Sequence, residues 1–277
     1  MRLNAVKVLE IRISKDSTEQ ILEETQKYLE NKSKINHQRS KIDLKPLVIV
    51  TPNPEQIVAA QTDKRFADIL NRADVALPDG VGVVWASRLL NADPLRQTIP
   101  GVNFMKQLIK KAAKQGVGIG LIGGRDELAI KAFDCLRQSY PELKGWGQDG
   151  PEVAVDNSEL IIDNSTRTQS YFRKLADQII KNDTNLVFVG LGAPKQEYFI
   201  RAIVHQLSTI NYQRPIVLMS VGGAFDEIAG QVATAPPVVV KLGLKWLWRL
   251  GNQPWRVRRQ TALVRFILLV IWRVVTG

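Results

Sequence analysis

The chain of 277 residues is long enough to bury one sizeable core. At 45% hydrophobic and 23% charged residues, its composition excludes a disordered protein. One cysteine, Cys135, excludes an intramolecular disulfide, and two histidines, His37 and His205, make a His/Cys zinc site unexpected; the net charge of +11 is unevenly spread, since eight of the 38 basic residues follow the last acidic one, Glu227, leaving 30 against 27 in the body.

Met1 to Ser14 has no apolar run of the signal-peptide kind, so a reducing, cytoplasmic compartment is expected. Val6 to Ile13 alternates apolar and polar residues, as a half-buried strand does. Ser17 to Leu29 reads as a helix capped by Ser17 or Thr18. Asn31 to Lys45 is polar and aperiodic and is expected to form a flexible loop. A repeated pattern follows, in which an apolar, β-branched run ends in Gly, Pro, Asn or Asp and a helix comes next. Leu47–Val50 stops at Thr51-Pro-Asn-Pro54 before a helix to about Arg72. Ala73–Leu77 stops at Pro78-Asp-Gly-Val-Gly82 before a helix over Val83–Leu90. Val117–Ile122 stops at Gly123-Gly124 before Glu127–Ser139. Leu186–Val189 stops at Gly190-Leu-Gly-Ala-Pro194 before Gln196–Leu207, and Ile216–Val221 stops at Gly222-Gly-Ala224. Continuously apolar strands alternating with helices predict an α/β fold, a Rossmann-like parallel sheet covered on both faces. Ligands of such sheets bind beyond the carboxyl ends of the strands, where these polar and glycine clusters lie.

The last segment differs. Val238–Leu250 and Trp255–Val275 read as two helices broken at Pro254. Four of the six tryptophans, Trp246, Trp248, Trp255 and Trp272, lie among the tail arginines. Trp with Arg suits the boundary between lipid headgroups and acyl chains, and no apolar run reaches the roughly 20 residues of a spanning helix. The expected organisation is an α/β core over 1–232 and a basic, Trp-rich helical appendage over 233–277. The appendage is expected to lie on an anionic membrane surface, and a nucleic-acid partner is not expected, since no nucleic-acid motif is present.

Each candidate site admits a chemical and a structural reading. Asp79, between Pro78 and Gly80 at a strand end, suits a general base or a simple Asp-Gly turn. Thr51 and Asn53 are polar groups fixed by flanking prolines, and Asn53 is also a good helix N-cap. The Gly190–Lys195 turn into a helix suits phosphate, with Lys195 adding charge, or is a plain strand-to-helix connection. The Gly222-Gly223 loop has the same two readings. Gly118-x-Gly120-x-x-Gly123 has the letters of a dinucleotide fingerprint, but its first two glycines fall inside an apolar run instead of after it, which disfavours an NAD-dependent oxidoreductase.

Taken together, Thr51-Pro-Asn53, Ala73-Asp74 with Leu77-Pro-Asp-Gly-Val-Gly82, Gly123-Gly124, Gly190-Leu-Gly-Ala-Pro-Lys-Gln-Glu197, Gly222-Gly-Ala-Phe-Asp226, Ala235-Pro236 and Leu242-Gly-Leu with Trp246-Leu-x-Arg-Leu250 resemble the WecG/TagA/CpsF family of bacterial glycosyltransferases. The resemblance implies an inverting, metal-independent transfer with no cofactor. The sugar is an N-acetylhexosamine, N-acetylmannosamine or its uronic acid, passed from a UDP-sugar to a polyprenyl-pyrophosphate-linked sugar at the inner membrane face during cell-surface polysaccharide synthesis. It implies Asp79 as base. Thr51, Asn53, Gly123, Gly124, Lys195, Gln196, Gly222 and Gly223 would line the substrate cleft, and Arg249, Arg256 and Arg259 would close over it. Lys245, Thr234 and Asn103 stand where the family pattern has Glu, Arg and Asp, which bears on tail docking and donor choice. The alternative is a membrane-associated nucleotide-sugar-binding protein without catalysis.

Overall fold

A computed structural model describes residues 3–35, 45–156, 159–162, 165–210, 212, 214–232, 236, 239, 245–252 and 260–276. The half-buried strand expected over Val6–Ile13 is a hairpin of β1 (Ala5–Val8) and β2 (Ile11–Ser14), paired antiparallel. Leu9 and Glu10 turn it with φ of 47° and 67°. Alternation has the same period on both sides of a two-residue turn, and neither turn residue is the Asn or Gly that signals one. Helix α1 (Thr18–Ile35) opens with a capping box: Gln20 N–H donates to Ser17 Oγ at 3.2 Å and Ser17 N–H to Gln20 Oε1 at 2.9 Å. It runs through Ile35, well into the segment expected to be a loop, because no Gly or Pro intervenes to stop it; 36–44 lie outside the described residues.

Strand β3 (Leu47–Val50) is followed by α2 (Pro54–Ala60) and α3 (Lys64–Arg72), two helices where one is expected. Asp63 makes the break, its Oδ1 capping α3 by accepting from Phe66 N–H at 2.9 Å. Next come β4 (Val75–Ala76), α4 (Val81–Leu90), α5 (Gly101–Gln115), β5 (Gly118–Gly123), α6 (Leu128–Ser139) and β6 (Gly145–Gln148). A second antiparallel hairpin, β7 (Val153–Asp156) with β8 (Glu159–Ile162), precedes α7 (Ser165–Lys181), β9 (Thr184–Gly190), α8 (Lys195–Thr209), β10 (Val217–Ser220) and α9 (Ala224–Ile228). The tail contributes α10 (Lys245–Asn252) and α11 (Gln260–Thr276), while 253–259, with Pro254, lie outside the described residues.

Six strands form one sheet in the order β4-β3-β10-β9-β5-β6, every neighbouring pair parallel. Burial follows the pleat. Leu47, Ile49, Leu186, Phe188, Val217 and Met219 face one layer, packed with residues of α1, α5 and α6. Val187, Val189 and Leu218 face the other, against Phe199, Ile200 and Ile203 of α8 and Leu175 of α7. The expected α/β, Rossmann-like sheet is thus the observed one.

Helix α11 packs on α2 and α4, where Phe266 and Val270, four residues apart on one face, are 0% exposed in a cluster with Ile57, Val83 and Val84. Its other faces are also apolar: Leu268 is 61% and Trp272 62% exposed. Among the described residues no helix is long and apolar enough to cross a membrane.

Candidate active site

The six parallel strands end at one rim, and a cleft of about 1670 Å³ opens above it. Single small-molecule sites usually enclose ~300–1,000 Å³, so this cleft has room for two substrates side by side. Its walls are the loops in which the polar clusters of the sequence fall.

The β4 loop carries Asp79, half-buried, on the cleft wall. Leu77 N–H donates to Val50 O at 2.8 Å and Asp79 N–H to Pro52 O at 3.1 Å, so the loop is strapped to the end of β3. Gly80 follows at φ 100°, a conformation that any side chain would strain, and turns the chain into α4. The Asp79 backbone is therefore fixed on both sides. Thr51 is buried at the end of β3, and Gly101 lies so close that a Cβ there would fall 2.7 Å from the Thr51 methyl. Asn53 lines the cleft and also caps α2, its Oδ1 accepting from Gln56 N–H at 3.0 Å. Its structural reading is realised, and its side chain stands at the cleft edge as well.

Gly124 lines the cleft, while Gly123 stands just behind it at φ 138°. A Cβ on Gly123 would meet Gly190 O at 2.4 Å, so the ends of β5 and β9 touch only because neither carries a side chain there. Gly118 and Gly120 lie inside β5, where added Cβ atoms would fall 2.7 Å from Asp183 O and from the Trp146 ring. These glycines admit sheet packing, and the strand-to-helix turn of a dinucleotide fingerprint is absent.

Lys195 and Gln196 open α8, facing Gly222 and Gly223 across the cleft wall. The exposed amides expected here are largely used internally. Gln196 N–H donates to Gly192 O at 3.0 Å, Glu197 N–H to Pro194 O at 3.1 Å, and Gly222 N–H to the Gln196 side-chain Oε1 at 2.9 Å. Gln196, 1% exposed, thus ties two loops together instead of projecting into solvent. Of the tail arginines, Arg249 lies in α10 with an undescribed side chain, and Arg256 and Arg259 lie outside the described residues.

The electrostatics of the described wall are unexpected. Six carboxylates line it (Glu55, Asp79, Asp126, Asp149, Glu152 and Asp226) against two cations, Arg125 and Lys195. Arg125 also pairs with Glu152 at 3.3 Å, both well exposed. Leu263 of α11 completes the wall, so the tail reaches the site. Arg125, Asp149 and Leu263 are cleft residues that the sequence does not single out, and the buried Glu197 lies behind the wall. Only Glu197 carried a signal, as the last residue of the Gly190–Glu197 block.

The sequence matches the model of the Glycosyl transferase WecG/TagA/CpsF family over residues 6–277. The chain belongs to this family. Among its relatives, the N-acetylglucosaminyldiphosphoundecaprenol N-acetyl-beta-D-mannosaminyltransferase of Bacillus subtilis (strain 168) is 33% identical over 225 residues, 81% of this chain and 78% of that one. The protein of the same name from Bacillus spizizenii (strain ATCC 23059 / NRRL B-14472 / W23) is 30% identical over 223 residues, 80% of this chain and 78% of its own. In this WecG/TagA/CpsF member, the motif loops of the described core come together around one cleft from five separate strand ends.

Proposed function

We propose that the protein transfers an N-acetylhexosamine, N-acetylmannosamine or its uronic acid, from a UDP-sugar to a polyprenyl-pyrophosphate-linked sugar, with inversion and without a metal. The observation that carries this reading is Asp79, pinned between the β3 and β4 loops on a cleft large enough for donor and acceptor together. The activity for which the Bacillus relatives are named supports the class of sugar and of acceptor.

In this reading Asp79 takes the proton of the acceptor hydroxyl as that oxygen attacks the anomeric carbon from the face opposite the departing UDP. The diphosphate leaves with negative charge into a wall already rich in carboxylates, and the α8 and Gly222 amides are largely engaged. Of the two cations on the described wall, Arg125 pairs with Glu152, and Lys195 is the one at the start of α8. Arg249, Arg256 and Arg259 of the tail supply the rest, with the bidentate geometry that suits phosphate oxygens. Thr51 and Asn53 hold the sugar end, and the Gly123-Gly124 and Gly222-Gly223 loops shape the donor space.

The acceptor's lipid fits the surface beside the cleft. Val81, Trp85 and Leu89 are exposed at four-residue intervals on α4, and Val264, Leu268 and Trp272 repeat the spacing on α11, which packs against α4. Val81 and Leu263 also line the cleft, so this apolar surface runs to its mouth. We read it as the face that meets an anionic membrane.

Acceptor-dependent UDP release, measured with several UDP-hexosamines and a short-chain lipid-pyrophosphate-GlcNAc, tests the proposal. Asp79→Asn is expected to lower the rate by about 10²–10⁴-fold, the usual worth of a positioned base. Equal rates would remove Asp79 from the chemistry. UDP-sugar binding with no release from any donor would instead leave a binding protein without catalysis.

A further inference from the structure

Behind the wall formed by α8 and the Gly222 loop lies a buried polar cluster to which the transfer chemistry assigns no part. Glu197 is 1% exposed in the first turn of α8. Its Oε1 accepts from two amides at once: Gln196 Nε2 at 2.8 Å and Gln56 Nε2 at 3.4 Å. Gln196 in turn accepts from Gly222 N–H at 2.9 Å, and Gln56 N–H is the donor that Asn53 caps. A continuous chain of hydrogen bonds thus runs from the Gly222 loop, through Gln196, Glu197 and Gln56, to the turn that carries Asn53. The two ends of that chain line the cleft at the neighbouring ends of β10 and β3.

We propose that Glu197 is a positioning residue of this cleft, which through Gln196 and Gln56 fixes the Gly222 loop and the Asn53 turn relative to one another on the wall that the substrates meet. The proposal rests on the reading of the cleft as the transfer site.

Three further observations support it. First, Glu197 Oε2, Ser220 Oγ and Gln56 Oε1 are buried with no hydrogen-bond partner, and all three belong to this one cluster. Unsatisfied buried oxygens cost stability, and an apolar residue of similar size would avoid that cost, so what the carboxyl holds explains it better than packing does. Second, the groups that act on it are Gln196 and its own amide in α8, Gln56 in α2 and Ser220 at the end of β10, none of them charged. Among the described residues no cation neutralises it, and burial pushes its carboxyl up to about 7. Third, the protonated and ionised acids offer the two glutamines different partners. A Gly222 amide that senses the proton on Glu197 is therefore the signature expected of this chain.

The test uses the full-length protein labelled with ¹⁵N-glycine, the Gly222 amide being assigned by its loss in Gly222→Ala. Without ligand, the Gly222 amide resonance is expected to move between about pH 5.5 and about pH 8.5 with a midpoint near the Glu197 pKa, and to stay still in Glu197→Gln. In Ser220→Ala, which removes a nearby hydroxyl that favours the ionised acid, the midpoint is expected to rise. In the transfer assay, Glu197→Gln is expected to keep the thermal midpoint of a folded protein. Its kcat is expected to fall about ten- to a hundredfold while the donor KM stays within about twofold, as misplacement of a reacting geometry does.

A Gly222 resonance that ignores pH, or that titrates equally in Glu197→Gln, overturns the relay. Wild-type kcat in a folded Glu197→Gln overturns its positioning role. Absence of transfer by the wild type counts against the function proposed above, and the resonance experiment still decides the relay.

Discussion

Glu197 also makes a residue-scale statement about stability. Its acid is raised in the folded state, from 4.5 to about 7, by burial. Folding therefore prefers the proton: this group's favourable contribution is complete below about pH 4.5, erodes as the unfolded chain ionises, and is gone once pH passes about 7. Relative to Glu197→Gln, which has no proton to lose, the wild type should lose on the order of 1–3 kcal/mol of stability between about pH 5 and about pH 7. Urea titrations of both proteins across that range check this, and parallel pH dependences would mean that the carboxyl is not held neutral. Asp79 was legible at this scale because a carboxylate between Pro and Gly at a strand end is conspicuous. Glu197 was not, since burial of a helix-opening glutamate depends on the neighbours that the fold brings to it. The same limit hid the engagement of Gln196 with Gly222, residues 26 positions apart.

At the scale of elements, α11 shows how a tail can serve the core. Phe266 fills space between α2 and α4, and a Cβ on Gly82, three residues past Asp79, would lie 3.0 Å from Pro54 and 3.8 Å from the Phe266 ring. Phe266→Ala should cost about 3–5 kcal/mol, as deletions of buried aromatic rings do, and should loosen α2 and α4 together. Hydrogen exchange should then rise in those helices before it rises in β5 or β9; uniform protection would show that α11 is not coupled to them. Four central strands and the short β4 were readable because continuous apolar runs ended in turn residues. Strand β6, Gly145-Trp-Gly-Gln148, was not, because an edge strand half made of glycine lacks that run. Helix α5 does carry a helical spacing in Val102, Met105, Leu108, Ile109 and Ala112, but reasoning from Gly and Pro clusters passes over it. The end of α1 was misjudged because loss of an apolar face does not end a helix unless something breaks it.

For the whole molecule, the balance of charge and apolar surface matters most. A near-neutral body with an acidic cleft wall is joined to a cationic tail whose helix leaves Leu268, Trp272 and Val275 exposed beside Trp85 of α4. Vesicles containing anionic lipid should retain the protein, and neutral vesicles much less, since each basic residue near such a surface adds about 1 kcal/mol. Leu268→Ser with Trp272→Ser should abolish retention while leaving the thermal midpoint nearly unchanged, because both side chains are already in water. Retention by the double variant in a sedimentation assay would move the membrane face elsewhere.

The cluster around α2 and α4 joins Val8 near one end of the chain to Val270 near the other. A ribosome adding about 5–20 residues per second would deliver these two partners roughly ten to fifty seconds apart. For that interval α2 and α4, which flank the Asp79 loop, wait with an uncovered apolar face. A nascent chain therefore completes this wall of its cleft only after α11 has been made, together with the exposed apolar face of that helix. The waiting face is where a chaperone would be needed.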